Sequence, residues 1–228
     1  DPEEATNIEI GLKATFDNGY INLALFDQSI EGFQSNVFGG TGFNLTNAGK
    51  ETHEGVELDS MFALSENLMI GLSAIYMDAV YDSFLNGTCD KTGLAEPEFS
   101  CPAGQDVIDL SGRSPAGIHE ISYNVNATYN FAMDSGIEGF FRIDYLHEKD
   151  VKTADLIPFN VANRGFDNVN ASLGFSSANG GWDVMLWGRN LTDHKTLISA
   201  FPTPAQPGSF SGYPNPPRTY GFTLRKNF

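Results

Sequence analysis

The run EISYNVNATYNF, residues 120–131, alternates without a break. Ile121, Tyr123, Val125, Ala127, Tyr129 and Phe131 fall on one side, and Glu120, Ser122, Asn124, Asn126, Thr128 and Asn130 on the other. A period of two is the mark of a β-strand with two unlike faces. The turn signal Asp134-Ser135-Gly136 follows, and Ile137, Phe141, Ile143 and Tyr145 return against Glu138, Arg142 and Asp144. The stretch therefore reads as one antiparallel hairpin, apolar on one face and polar on the other.

Working outward, the same pattern fills the chain. Ile8, Ile10, Leu12, Ala14 and Phe16 oppose Asn7, Glu9, Gly11, Lys13 and Thr15, and Asp17-Asn18-Gly19 turns the chain into a return strand. Val56 to Leu64 alternates likewise, Ser65-Glu66-Asn67 turns it, and Ile70, Leu72, Ala74 and Tyr76 come back. Val169 to Phe175, the turn Ala178-Asn179-Gly180-Gly181, Trp182 to Leu186, and finally Tyr220, Phe222 and Leu224 complete the set. The prediction is an all-β chain, an antiparallel meander of about nine long strands, with no amphipathic helix and no internal domain boundary. Connections alternate in length: short at the four turns, long near 34–51, 85–115, 150–163 and 194–217. Short turns at one end and long loops at the other is the layout of an outer-membrane barrel.

Composition fits a wall between two solvents. Only 18% of the 228 residues are charged, Gly numbers 24, and the formal net charge is −16. Such acidity excludes a general nucleic-acid binder, which needs a basic face. No run approaches the length of a transmembrane helix, but spanning strands alternate and escape hydropathy. Several strands exceed the usual sandwich strand of about 5–6 residues. Aromatics on the apolar face gather at the short-turn ends: Phe16, Phe131, Trp182 and, in phase, Phe228. This is the pattern of an interfacial girdle. The apolar face is therefore assigned to lipid and the polar face to a hydrated lumen.

Two cysteines, Cys89 and Cys101, stand twelve apart in a Gly/Pro-containing loop. With no further Cys to complete a metal site, a loop-closing disulfide is expected.

Several strings resemble one family. PEEATNIEIGLKATFDNGYINLALF (2–26) looks like a strand pair from the later barrel of TonB-dependent receptors. NAGKETHEGVELD (47–59), WDVMLWGRNLTD (182–193) and PRTYGFTLRKNF (217–228) are similar to further strands of that barrel, the last to its closing strand. The resemblance covers essentially the whole chain. It implies the C-terminal segment of a 22-stranded transmembrane β-barrel, residues 1–228 being one part of that domain with the plug and early strands absent. It implies a cell outer membrane location in a Gram-negative bacterium, with long loops extracellular and the C-terminus periplasmic. The function implied is TonB-dependent active uptake of a scarce ligand of the siderophore, cobalamin or glycan class. The implied partners are outer-membrane lipid, the TonB complex through the absent N-terminal region, and the barrel assembly machinery. That machinery would read Tyr220, Phe222, Leu224 and Phe228 as a C-terminal signal, with Lys226 departing from the usual apolar residue.

Chemistry is sparse elsewhere. The four His are scattered, His147-Glu148 lacks the second His of a zinc-protease motif, and the glycine run 39–42 lacks a P-loop lysine. No enzyme, cofactor or metal is predicted. Ligand contact is assigned to the long loops: Phe99, beside Asp90, Lys91, Glu96 and Glu98, and Phe201, Phe210 and Tyr213. Two rivals make opposite demands: a passive porin-type channel needs no plug, and a secreted β-sandwich adhesin or lectin needs an apolar interior.

Overall fold

The computed structural model describes residues 2–38, 43–90, 93, 95–134, 136–158, 160–203, 205–206 and 208–227. Its strands are β1 (Glu4–Phe16), β2 (Gly19–Phe38), β3 (Phe43–Ala63), β4 (Leu68–Ser83), β5 (Gly87–Thr88), β6 (Val107–Ile108), β7 (Ile121–Met133), β8 (Ile137–Glu148), β9 (Phe166–Ser177), β10 (Trp182–Arg189), β11 (Leu197–Pro202), β12 (Phe210–Pro214) and β13 (Thr219–Lys226). Nine form one antiparallel sheet in the order β1-β2-β3-β4-β7-β8-β9-β10-β13. The sheet is open: β1 and β13 each have a neighbour on one side only.

Side-chain chemistry closes the short turns. Ser65 Oγ accepts from the N–H groups of Asn67 and Leu68. Asn179 Oδ1 accepts from Gly181 N–H, and Gly180 takes φ 69°, a conformation that glycine adopts without a Cβ penalty. Asn18 Nδ2 donates to Ala63 O, tying the first turn to the end of β3.

Register carries the apolar stripe across the sheet. Leu12 faces Leu23, Leu23 faces Leu58, and Leu58 faces Ala74. Leu72 faces Val125, Ile143 faces Ala171, and Leu186 faces Phe222. Among the described residues no second layer covers this stripe: Ile10 is 73% exposed and Leu224 63%. A β-sandwich would bury these side chains, so that rival does not describe the sheet. From Ile8 to Phe16 the stripe runs roughly 27 Å along the strand, or about 20 Å along a membrane normal at a tilt of ~40°. At the short-turn end Phe16 packs on Phe62 and Phe131 on Phe175, with ring centroids 5.9 Å apart in each pair.

The buried hydrophobic clusters lie elsewhere. Tyr81, Phe84, Cys89, Phe99, Ile108 and Leu110 cluster at the far end of β4 and in the 84–120 connection. Ile157, Ala162 and Ala200 form a second cluster between the 149–165 and 190–218 connections.

Two expectations about the connections change. The stretch near 34–51 is not a long loop. β2 and β3 continue as a ladder of 20 and 21 residues as far as Phe38 opposite Phe43, although residues 34–38, QSNVF, carry no alternation to announce a strand. The glycine run 39–42 lies outside the described residues. The connections also hold two small ladders, β5–β6 and β11–β12, too short and proline-rich to show a period.

Candidate functional site

The polar face forms a concave wall. Across five strands it presents Glu9, Lys13, Asn22, Glu57, Asp59, Ser73 and Asn124 around a groove of about 560 Å³. Asp59 organises its centre, accepting from Ser73 Oγ at 3.1 Å and Asn22 Nδ2 at 3.4 Å. Further along, Arg142 Nε donates to Asp144 Oδ2 at 2.9 Å, and its Nη1 to Thr128 Oγ1 at 3.3 Å. These charges are partnered yet wet, as a lumen wall requires.

Above this wall the three long connections pack into one roof. In the first, Cys89 and Cys101 are joined, S–S 1.98 Å. Asp90 N–H donates to Phe99 O, and Cys101 N–H to Asp90 O. Phe99 is held by two cations, Arg113 at 4.6 Å and Lys152 at 4.0 Å from the ring centroid. Arg113 also pairs with Glu98 at 3.5 Å, and Lys152 with Glu96.

The 149–165 connection is the keystone. Lys152 and Leu156 engage the first cluster, while Ala154 and Ile157 engage the second. Between them Asp155 lies beside Tyr81 and the Ala116 backbone. Burial pushes its carboxyl above the usual carboxylate range, a shift that Ala116, Lys152 and Tyr81 only partly offset. Beside it on the polar face, buried Glu51 accepts from His53 Nε2 at 2.6 Å.

The third connection is anchored by two buried asparagines. Asn190 Nδ2 donates to His194 O and Pro216 O. Asn215 Nδ2 donates to His194 O, and its Oδ1 accepts from Thr196 N–H. Asn190 sits at φ 49°, where asparagine is tolerated better than most residues.

The family model described as TonB dependent receptor-like, beta-barrel, matches residues 1–191. The chain belongs to that family. No curated protein matches it in sequence. Among solved structures, this TonB-dependent receptor barrel is similar to the ferric yersiniabactin uptake receptor FyuA from Yersinia pestis, at 16% identity and TM-score 0.71, covering 99% of this chain and 30% of that one. It is also similar to the siderophore receptor PiuA from Acinetobacter baumannii (17%, TM-score 0.67, 98% and 28%). A third is the ferric-catecholate import receptor Fiu from E. coli K12 (20%, TM-score 0.59, 100% and 28%). These likenesses establish the fold. The chain spans about 30% of the length of FyuA and 28% of PiuA and Fiu.

Within this TonB-dependent receptor barrel the sequence-assigned residues separate. Phe99 is 5% exposed, with Arg113 and Lys152 both against its ring. Phe210 turns onto the second cluster. Phe201 and Tyr213 lie together on the opposite face of their hairpin. Tyr220, Phe222 and Leu224 are more than 60% exposed, Phe222 and Leu224 on the apolar face opposite Leu186 and Val184. Lys91 and Phe228 lie outside the described residues. Sequence reasoning did not single out Lys152, Asp155, Asn190 or Asn215. Only Asn190 carried a local signal, as the polar residue ending the WDVMLWGRN strand.

Proposed function

We propose that this chain is the C-terminal part of the barrel of an outer-membrane receptor that takes up a scarce ligand by TonB-coupled active transport. Family membership over residues 1–191 carries the reading. The open sheet supports it, with an unpartnered apolar stripe for lipid and a hydrated polar wall for the lumen. On this reading the short turns and the C-terminus face the periplasm, and the roof faces outward. The plug and the TonB-contacting segment belong to chain beyond these residues, and Tyr220, Phe222, Leu224 and Phe228 serve recognition by the barrel assembly machinery. The solved neighbours named above are a ferric yersiniabactin uptake receptor, a siderophore receptor and a ferric-catecholate import receptor; the ligand of this chain is treated below.

The test is uptake by cells carrying the full-length receptor, with and without TonB. Accumulation that requires both supports the reading. Passage that persists without TonB sinks it in favour of a passive channel.

A further inference from the structure

The β11–β12 hairpin has two unlike faces. Ala200, with Leu197 and Phe210, packs onto Ile157 and Ala162. Register gathers Ser199, Phe201, Ser211 and Tyr213 on the other face, Ser199 opposite Tyr213 and Phe201 opposite Ser211. The two rings stand 6.0 Å apart, tilted by 41°, and Tyr213 is 62% exposed. Thr203 Oγ1 and Ser211 Oγ are hydrogen-bonded at 2.9 Å on its flank. Residues 196–217 contain no Asp, Glu, Lys, Arg or His, in a chain of net charge −16. The base is fixed by Asn190 and Asn215, so the face is held in shape before any ligand arrives.

We propose that this face binds a neutral, polyhydroxylated sugar, the receptor's imported ligand. An aromatic ring is negative on its face, and the C–H groups of a pyranose are weakly positive, so the two stack. Side-chain hydroxyls both donate and accept, as sugar hydroxyls do. The absence of charge is the selective feature. A polyanionic iron chelate needs cations to replace its hydration, and residues 196–217 supply none. The inference rests on the uptake reading, which places the hairpin outside the cell and makes the sugar a cargo.

The test uses the full-length receptor, purified from outer membranes in detergent. It is titrated calorimetrically with maltohexaose, xylohexaose and cellohexaose, and with an iron(III) tris-catecholate as the charged comparator. At least one hexaose is expected to bind and the chelate is not. Tyr213→Ala and Phe201→Ala should each weaken binding by about tenfold or more, whereas Tyr213→Phe, which keeps the ring, stays within about threefold. Heat-modifiable migration of each variant in gels confirms a folded barrel. Failure of every hexaose to bind, or binding that survives in the Phe201→Ala/Tyr213→Ala double variant, overturns the proposal. Uptake of radiolabelled hexaose by cells separates an imported sugar from the cell's own surface polysaccharide; binding without uptake refutes the cargo assignment. TonB-dependent uptake of some other ligand with no hexaose bound leaves the receptor reading standing and removes this one. Hexaose binding with TonB-independent passage removes the uptake reading and the cargo assignment with it, and leaves only the sugar-binding face standing.

Discussion

The indole of Trp187 fills the space over Gly221, its direct cross-strand partner at the seam between β10 and β13. A Cβ on residue 221 would stand 1.8 Å from Trp187 Cζ2. Arg189 lies 5.2 Å from the same ring, in cation–π range. Gly221→Ala must therefore displace the ring, and the expected cost is about 1–3 kcal/mol. Phe140 covers Gly174 in the same manner, 2.2 Å from where a Cβ would lie. Gly174→Ala should behave alike, and the double variant should add. Urea midpoints of the folded barrel in detergent measure this; unchanged midpoints would show that the rings swing aside freely.

Reducing the Cys89–Cys101 bond should loosen the roof and spare the sheet. The bond closes a loop of sequence separation 12. Chain-entropy reasoning assigns about 3 kcal/mol to a loop near this size. Limited proteolysis after reduction should cut within 84–120 while the barrel keeps its heat-modifiable migration. Cutting in the strands would mean that the bond supports the sheet itself.

Ile157 is fully buried against the hairpin, 0% exposed. Ile157→Ala should cost about 2–4 kcal/mol locally. Hydrogen exchange should rise across β11–β12 and the 149–165 connection, while β7, β8 and β9 keep their protection.

Asp155 gives the roof an inverted pH response. Burial raises its carboxyl above the unfolded value, so the packed connection holds its proton more tightly than the open one does. Its contribution is full below the unfolded value and is lost as pH rises through the packed one. Protection of 149–165 should fall from acid toward neutral pH, and Asp155→Asn should flatten the profile. Asp109 runs the other way: the Ser111 hydroxyl and N–H hold its carboxyl low, so its contribution fades as pH falls. A profile rising with pH in 149–165 would refute the assignment to Asp155.

The sheet was legible because its physics is local. A strand exposed to lipid on one side and water on the other must alternate, and Ile121 to Phe131 does so without error. Register follows from the tight turns that join neighbouring strands. The roof was not legible for the opposite reason. Lys152 meets Phe99 across a separation of 53 residues, and Asp155 meets Tyr81 across 74, with no repeat to announce either contact. Phe99 and Tyr213 both looked like aromatic loop residues. One is buried against cations contributed by different parts of the chain, the other lies on a proline-flanked ladder, and composition does not separate them.

β1 and β13 leave their outer backbone edges without a neighbour. Hydrocarbon offers no hydrogen bond to such groups, and each one left bare there costs several kcal/mol. These nine strands therefore have no stable halfway station in a bilayer. On the reading proposed above, in which further strands complete a ring, entry of these nine into the membrane is coupled to that of the others, so a change that slows closure at either edge delays insertion of the whole wall, including parts it never touches.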